Sequence, residues 1–348
     1  MKQGVNVAVK PQKQKDSFLV GLGRYLGNFK EQLVILVALA GLCMVLSVLS
    51  PNFLTKSNFL DIARVVSING IMAAGMTLVI LTGGIDLSVG SIFALAGVIA
   101  AALIPGSYSE SPFVTTFKLP VPAAILVGLL VGVLIGYING LVITRFRIEP
   151  FVVTLGMMSF ARGLTYLYSG GYPINFKPMP PGFQWVGQGY VFGLPTPTII
   201  FVFVIALCWW ILRYTAFGRT IYAIGGNEEA ARLSGMNTRR IKRLTYLFLG
   251  ALAAFSGIVM ASRVAAGSPV AGIGYELDVI AGVVIGGTSL AGGRGSIFGT
   301  VLGVFMLGVI ENGLNLLGVS TYYQYIIKGM ILIMATGIDG YYRKKRCY

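Results

Sequence analysis

The chain has 348 residues, of which 55% are hydrophobic and only 11% charged, with 27 Lys and Arg against 12 Asp and Glu, and its mean hydropathy is +0.80. Soluble domains carry roughly 25% charged residues, so this composition excludes a soluble enzyme and predicts an all-α integral membrane protein. The formal charge of +15 is spread over loops and gathers into no nucleic-acid-binding motif, so no nucleic-acid role is read from it.

In chain order, residues 1–31 are polar and basic and read as a cytoplasmic N-terminal tail. Within them Phe18–Lys30 interleaves Leu19, Tyr25, Leu26 and Phe29 with Arg24 and Lys30, the pattern of an amphipathic stretch on the inner membrane surface. No small-residue cleavage site follows the first apolar run, so the start does not read as a cleavable signal. A spanning helix needs about 20 mostly apolar residues. Runs of that kind are Gln32–Ser50, Val121–Ile143, Pro195–Leu212, Leu244–Ser262, Ser296–Leu317 and Ser320–Ile338. Shorter or interrupted runs are Val65–Thr82, Leu87–Ile104, Pro150–Tyr168 and Leu277–Leu290. Together they predict about ten transmembrane helices in one domain, 32–338, holding a polar loop at 213–243 and followed by a basic cytoplasmic tail at 339–348. The other long connection, Ser169–Leu194, carries Pro173, Pro178, Pro180 and Pro181 and reads as a turn-rich connector.

Ten spans with both ends in the cytoplasm place most of the basic residues inside: Lys2 to Lys30, Arg145 and Arg147, those from Arg213 to Arg243, Arg294, and Arg343–Arg346. Lys56, Arg64, Lys118, Lys177 and Arg263 fall outside, and Arg162 and Lys328 lie within spans. This is the positive-inside bias. Cys43, Cys208 and Cys347 offer neither a metal spacing nor a disulfide framework.

Val131–Leu141 resembles Val304–Leu314, both ending in Asn-Gly-Leu, at an offset of 173 residues. As spans four and nine these cross in opposite directions, which predicts an inverted internal repeat of the kind transporters use to build a central pathway. A second echo, Gly-Ser-Ile-Phe at Gly90–Phe93 and Gly295–Phe298, has an offset of 205 and does not fit the same repeat. Glycine recurs every four residues at Gly128, Gly132, Gly136 and Gly140, and again at Gly295, Gly299 and Gly303. Such rows let helix backbones approach closely. They serve packing within the bundle, a self-association face, or a mobile seam.

There is no histidine, which removes catalytic triads, His-ligated metals and the commonest proton shuttle. No phosphate-binding Gly-x-x-x-x-Gly-Lys-Ser/Thr occurs; Gly218-Arg219-Thr220 is the nearest echo. Acidic residues near the spans are few (Asp86, Glu149, Asp278, Glu311 and Asp339), and most are expected near ends that water reaches. An ion-coupled carrier places carboxylates mid-membrane, so the scarcity argues for an energy source outside this chain. One loop suits the receipt of that energy. Asn227 is a good N-cap, Glu228 and Glu229 match the positive end of a helix dipole, Arg232 falls in the last turn and Gly235 is a natural stop. A helix this short needs a partner, which is either the membrane surface or a soluble motor subunit.

Five ordered motifs carry a resemblance: Gly75–Gly90 (GMTLVILTGGIDLSVG), Gly225–Gly235 (GGNEEAARLSG), Gly274–Ala281 (GYELDVIA), Gly286–Gly293 (GGTSLAGG) and Asn312–Gly318 (NGLNLLG). They resemble the ribose-type (simple sugar) permeases of bacterial ABC importers over residues 45–338. The resemblance implies a type II-like importer permease that is itself no enzyme, sits in the bacterial inner membrane and pairs with a second copy of itself. It also implies an ATPase subunit on the cytoplasmic face, which binds ATP and Mg, and a periplasmic sugar-binding protein. Carried over by position, Asn227, Glu228, Glu229, Ala230, Ala231 and Gly235 form the ATPase-coupling element.

A sugar pathway offers hydrogen-bonding groups without a tight site. Its candidates are Asn69, Thr77, Ser91, Asn139, Asn312 and Asn315, each of which serves equally as an interhelical hydrogen-bond partner. Arg162 must face protein or water, paired with a carboxylate or with substrate. Outside, Arg263, Tyr275 and Glu276 are candidate contacts for the binding protein. A permease for a branched-chain amino acid or a nucleoside, an ion-coupled secondary carrier and a non-transporting scaffold are the competing readings.

Overall fold

The computed structural model describes residues 15–114 and 117–346. The tail before Lys15 and Cys347 lie outside them, as does the side-chain environment of Asp339. The described residues form α1 (Lys15–Leu49), α2 (Lys56–Leu81), α3 (Val89–Leu103), β1 (Ser107–Tyr108), α4 (Val121–Phe146), α5 (Pro150–Ser169) and β2 (Ile174–Phe176). There follow α6 (Pro181–Gln188), β3 (Tyr190–Val191), β4 (Leu194–Pro195), α7 (Thr196–Tyr214), α8 (Ala216–Gly226), α9 (Glu228–Leu233) and α10 (Thr238–Val264). The last elements are β5 (Ala266–Gly267), α11 (Tyr275–Ile285), α12 (Ile297–Leu316) and α13 (Thr321–Arg346).

Among the described residues, six helices are long and apolar enough to cross a membrane: Gln32–Leu49 of α1, α2, α4, α7, α10 and α12. α3 is a shorter apolar helix, and α11 has 11 residues, or about 16 Å at 1.5 Å per residue. Phe18–Lys30 falls on α1, the same helix as the first apolar run.

Hydrophobic sequence alone gives α2 and α10 too short. α2 begins at Lys56 and α10 at Thr238 because polar first turns extend each helix beyond its apolar run. Each has its own cap: Thr55 accepts from the Asn58 N–H, and Asn237 accepts from the Arg240 N–H. Those side-chain acceptors satisfy N–H groups that the first turn leaves free.

α10 lies at the centre, packed on α2, α3 and α4, while α12 packs on α2 and α11. α3 and the C-terminal half of α2 are buried on nearly every side, as all-round hydrophobic helices must be. The outward faces of α1, α4, α5, α7 and α13 carry exposed large apolar residues such as Val48, Leu134, Phe160, Phe203 and Ile333, a surface suited to lipid rather than water.

The glycine rows lie inside this bundle. A Cβ at Gly128 would sit 2.9 Å from Ile258 Cδ1, and Cβ atoms at Gly132 and Gly136 would overlap the Gly250 and Tyr246 carbonyls of α10. Gly299 and Gly303 likewise rest on Gly286 and Gly282 at α11. Both rows are therefore close-packing seams between helices of this chain, and the self-association reading of them falls.

The connections gather at two ends. At one, 82–88, 147–149, 215–237 and 286–296 come together: Gly293 N–H donates to Leu81 O (2.9 Å), and Tyr222 Oη to Gly295 O (3.0 Å). At the other, β1, β2 and β5 form an antiparallel sheet in the order β1-β2-β5, tying three separate loops. The segment 169–194 is thus more than a connector. Pro181 starts α6, where its missing N–H is no loss, and β2 pairs with strands distant in sequence, which local composition does not reveal.

Candidate coupling loop and interior polar network

Asn227 has its side-chain oxygen on the Ala230 N–H at 2.9 Å and starts α9. Glu228 and Glu229 occupy the first turn and Arg232 the last. The turn after α9 closes through the Met236 N–H on Ala231 O (3.1 Å), with Gly235 at φ +82°, a left-handed position that glycine adopts without strain. Arg232 donates to Glu229, and Lys242 of α10 donates to Glu228. That hydrogen bond and the Arg232 charge hold the Glu229 carboxyl below its ordinary value. Ala231 alone in the segment 226–237 is buried, while Leu233 is 78% exposed. The helix is short, capped at both ends and leaves an apolar side chain uncovered.

Behind α9, backbone meets backbone. A Cβ at Gly225 of α8 would overlap Leu81 O and Gly293 N, and one at Gly292 would lie 2.8 Å from Gly83 N. The last turn of α8, the end of α2 and the α11–α12 link are therefore in direct contact. α9 follows directly on this junction, where backbone meets backbone without any intervening side chain. The paired glycines at 83–84, 225–226 and 292–293 stand out in the sequence, but their meeting depends on the fold.

Just beyond this junction lies a buried polar group. Asp86 is fully buried, not water-accessible as expected: its carboxylate accepts from Ser88 N (2.8 Å), Ser88 Oγ (2.6 Å) and Asn139 Nδ2 (3.3 Å). The reason is local: the link 82–88 folds into the bundle, and Asp86 satisfies the start of α3. Asn139 also donates to Ser88 Oγ at 2.9 Å. Glu149 alone of the described acids named above is exposed; Asp278 and Glu311 both face Lys328, at 2.9 and 3.5 Å.

The remaining candidates are dispersed. Thr77 Oγ1 and Thr300 Oγ1 join α2 to α12 at 2.7 Å. Ser91 is buried, its hydroxyl without a partner among the described residues. Asn312 Nδ2 donates to Asn58 Oδ1 (2.7 Å), and Asn315, exposed, accepts from Gln324 (2.8 Å). Asn69 is half-buried on α2. These side chains mostly join helix to helix and do not converge on one cavity.

At the opposite end Arg263 is half-buried on the last turn of α10, beside the charges of Arg64 and Asp61. Tyr275 packs edge-on against Phe93, ring centroids 5.2 Å apart. The Glu276 carboxylate lies beside Gly90, in the first turn of α11. Arg162 is placed among carbonyls: Nη1 donates to Pro269 O (2.7 Å) and Ala271 O (2.9 Å), Nη2 to Gly90 O (3.2 Å). Arg162 thus straps the loop before α11 to the first turn of α3. The exposed features at this end include Trp185 and the β3–β4 hairpin, whose tip residue Phe192 is wholly exposed at φ +51°. The sequence marks that hairpin by Phe192-Gly193 between short apolar runs.

The apolar helices, the interior polar joints and the exposed capped helix define a multi-pass helical membrane protein. A family model described as branched-chain amino acid transport system, permease component, matches residues 58–336. The ribose import permease protein RbsC of Bacillus subtilis (strain 168) is 47% identical over 330 residues, covering 95% of each chain. That of Escherichia coli (strain K12) is 45% identical over 306 residues, 87% of this chain and 92% of the relative. The L-arabinose transport system permease protein AraH of the same strain is 39% identical over 320 residues, 92% of this chain and 94% of its own length. No solved structure matches. The chain belongs to this family of ABC importer permease components. It is a non-catalytic membrane subunit.

Proposed function

We propose that the chain is the transmembrane permease subunit of a bacterial ABC importer that carries a simple sugar, ribose or a related monosaccharide, across the inner membrane. The observation that carries this reading is 45–47% identity to ribose import permeases along 87–95% of the chain. ATP and Mg bind to a separate ATPase subunit on the cytoplasmic face, and a periplasmic sugar-binding protein delivers the solute. Two copies of this chain frame the pathway.

Asn227, Glu228, Glu229, Ala230, Ala231 and Gly235 form the element on which the ATPase docks. The exposed Leu233 and the glycine junction behind α9 support this reading. Arg263, Tyr275 and Glu276 sit at the end that receives the binding protein, and Asn69, Thr77, Ser91, Asn139, Asn312 and Asn315 border or brace the pathway. Ten helices, α1–α5, α7 and α10–α13, cross the membrane with both termini inside. Grouping of the basic segment 213–243 with the glycine junction at one end supports that orientation.

An inverted repeat relates α2–α5 to α10–α13. In its support, α2 packs on α11 and α12 as α10 packs on α3 and α4, and α3 packs on α4 and α5 as α11 packs on α12 and α13. ATP binding closes the motor, α9 moves with it, and the junction at Gly225 and Gly293 passes the motion to α2 and the α11–α12 link. The family description favours one second reading, a branched-chain amino acid as cargo. A panel of labelled pentoses, hexoses and branched-chain amino acids, offered to the reconstituted importer, decides between them: sugar uptake supports the proposal, and uptake confined to an amino acid overturns it.

A further inference from the structure

At the end opposite the coupling helix, a cavity of about 170 Å³ opens between α11, α12 and α13. Its walls include Asp278, Glu311, Lys328 and the rings of Tyr275 and Tyr325. The larger cavity of about 250 Å³, beside α3 and α10, is lined almost wholly by Ala, Gly and other apolar residues. Ionisable side chains at membrane depth are expensive and mark a function or a pathway more often than a fold requirement. Here three meet: Lys328 Nζ is 2.9 Å from Asp278 Oδ2 and 3.5 Å from Glu311 Oε2, and the three side chains remain 21%, 14% and 31% exposed.

The chemistry narrows the ligand. The position between the two carboxylates is occupied by the chain's own ammonium, so a free metal cation is not the fit. Asp278 Oδ1 and Glu311 Oε1 have no donor among the described residues, and both remain as charged acceptors. Charged acceptors form hydrogen bonds roughly twice as strong as neutral ones. Lys328 retains a proton to donate to a hydroxyl or ring oxygen. Tyr325, 59% exposed, adds an aromatic side chain to the wall, apolar surface on which C–H groups can pack. Paired acceptors, one donor and an aromatic wall around a small cavity fit a single-ring polyol.

We infer that this cavity is a transient sugar subsite at the outer end of the pathway, with Asp278 and Glu311 accepting sugar hydroxyls and Lys328 donating to a sugar oxygen. The inference rests on the sugar reading above. Its test uses the permease with its ATPase subunit in nanodiscs, without the binding protein, and equilibrium binding of labelled monosaccharides. Glu311→Gln keeps the side-chain shape and the Lys328–Asp278 pair. Gly329→Phe fills the cavity from a wall position where an added Cβ meets nothing within 4 Å. The wild-type complex is expected to bind a sugar weakly; Glu311→Gln weakens that binding at least about tenfold, Gly329→Phe abolishes it, and Glu311→Asp restores part of it. In the three-component importer both variants then lower sugar flux per assembled complex. Wild-type binding and flux in both variants would overturn the subsite. So would a loss confined to the amount of complex assembled, since that marks a structural ion triad. If the wild-type importer carries no sugar at all, the functional reading fails first and the subsite falls with it.

Discussion

Asn139 supplies one of the donors that hold the buried Asp86 carboxylate, so its amide serves the fold as well as any pathway. Asn139→Leu removes that donor and leaves a buried acceptor short, an effect of about 1–3 kcal/mol. A lower midpoint of thermal unfolding in detergent is expected; an unchanged midpoint would show that Ser88 alone satisfies Asp86. At the coupling loop, Asn227→Ala deletes the cap of α9 and weakens that helix by about 1 kcal/mol. Less ATPase subunit should co-purify with the permease, while membrane insertion stays normal. The Glu229–Arg232 pair is fully exposed and adds little stability, but its titration has a definite sign. Because the folded pKa lies below the ordinary 4.5, the pair persists at and above that value and is lost only as pH falls through the lowered one. Carbon-13 NMR titration of Glu229 should therefore place its midpoint below the ordinary 4.5; a midpoint at or above that value would contradict the pairing.

At the scale of elements, the two kinds of glycine predict opposite outcomes. Gly132→Leu drives a side chain into the Gly250 carbonyl and Ala254, so α4 and α10 cannot close and little folded protein is expected. Gly163→Leu on α5, where an added Cβ meets nothing within 4 Å, should be tolerated. Expression and size-exclusion profiles of the two variants check this directly. Gly225→Ala tests transmission: it separates α8 from Leu81 and Gly293, and uptake should fall further than ATP hydrolysis does.

Each of the ten apolar runs overlaps a helix, nine of them almost end to end, because apolar length is a local property that a sequence displays. The capped α9 was legible for the same reason: Asn227, Glu228, Glu229, Arg232 and Gly235 lie within nine consecutive residues. What was not legible depends on partners far along the chain. Asp86 lies in a short polar link, and only folding brings Asn139 to it from 53 residues away. The same holds for Lys328 with Asp278, for β2 with its two neighbours, and for Gly225 with Gly293. The short α11 followed by the irregular link 286–296 also departs from its apolar run, since Gly286 and Gly287 end the helix while Leu290 continues the hydrophobic pattern.

Over the whole molecule, a buried centre of α2, α3 and α10 is held by interior polar joints, and one end carries an exposed helix connected to it backbone to backbone. This arrangement suits a machine driven from outside its own chain. Transport through this permease is expected to need an external motor and a delivery protein. ATP-driven uptake of labelled sugars into proteoliposomes measures it, comparing this chain alone with the chain joined by its ATPase subunit, its binding protein, or both. Sugar uptake that requires all three components and ATP is the predicted result; uptake by this chain alone on an ion gradient would contradict it.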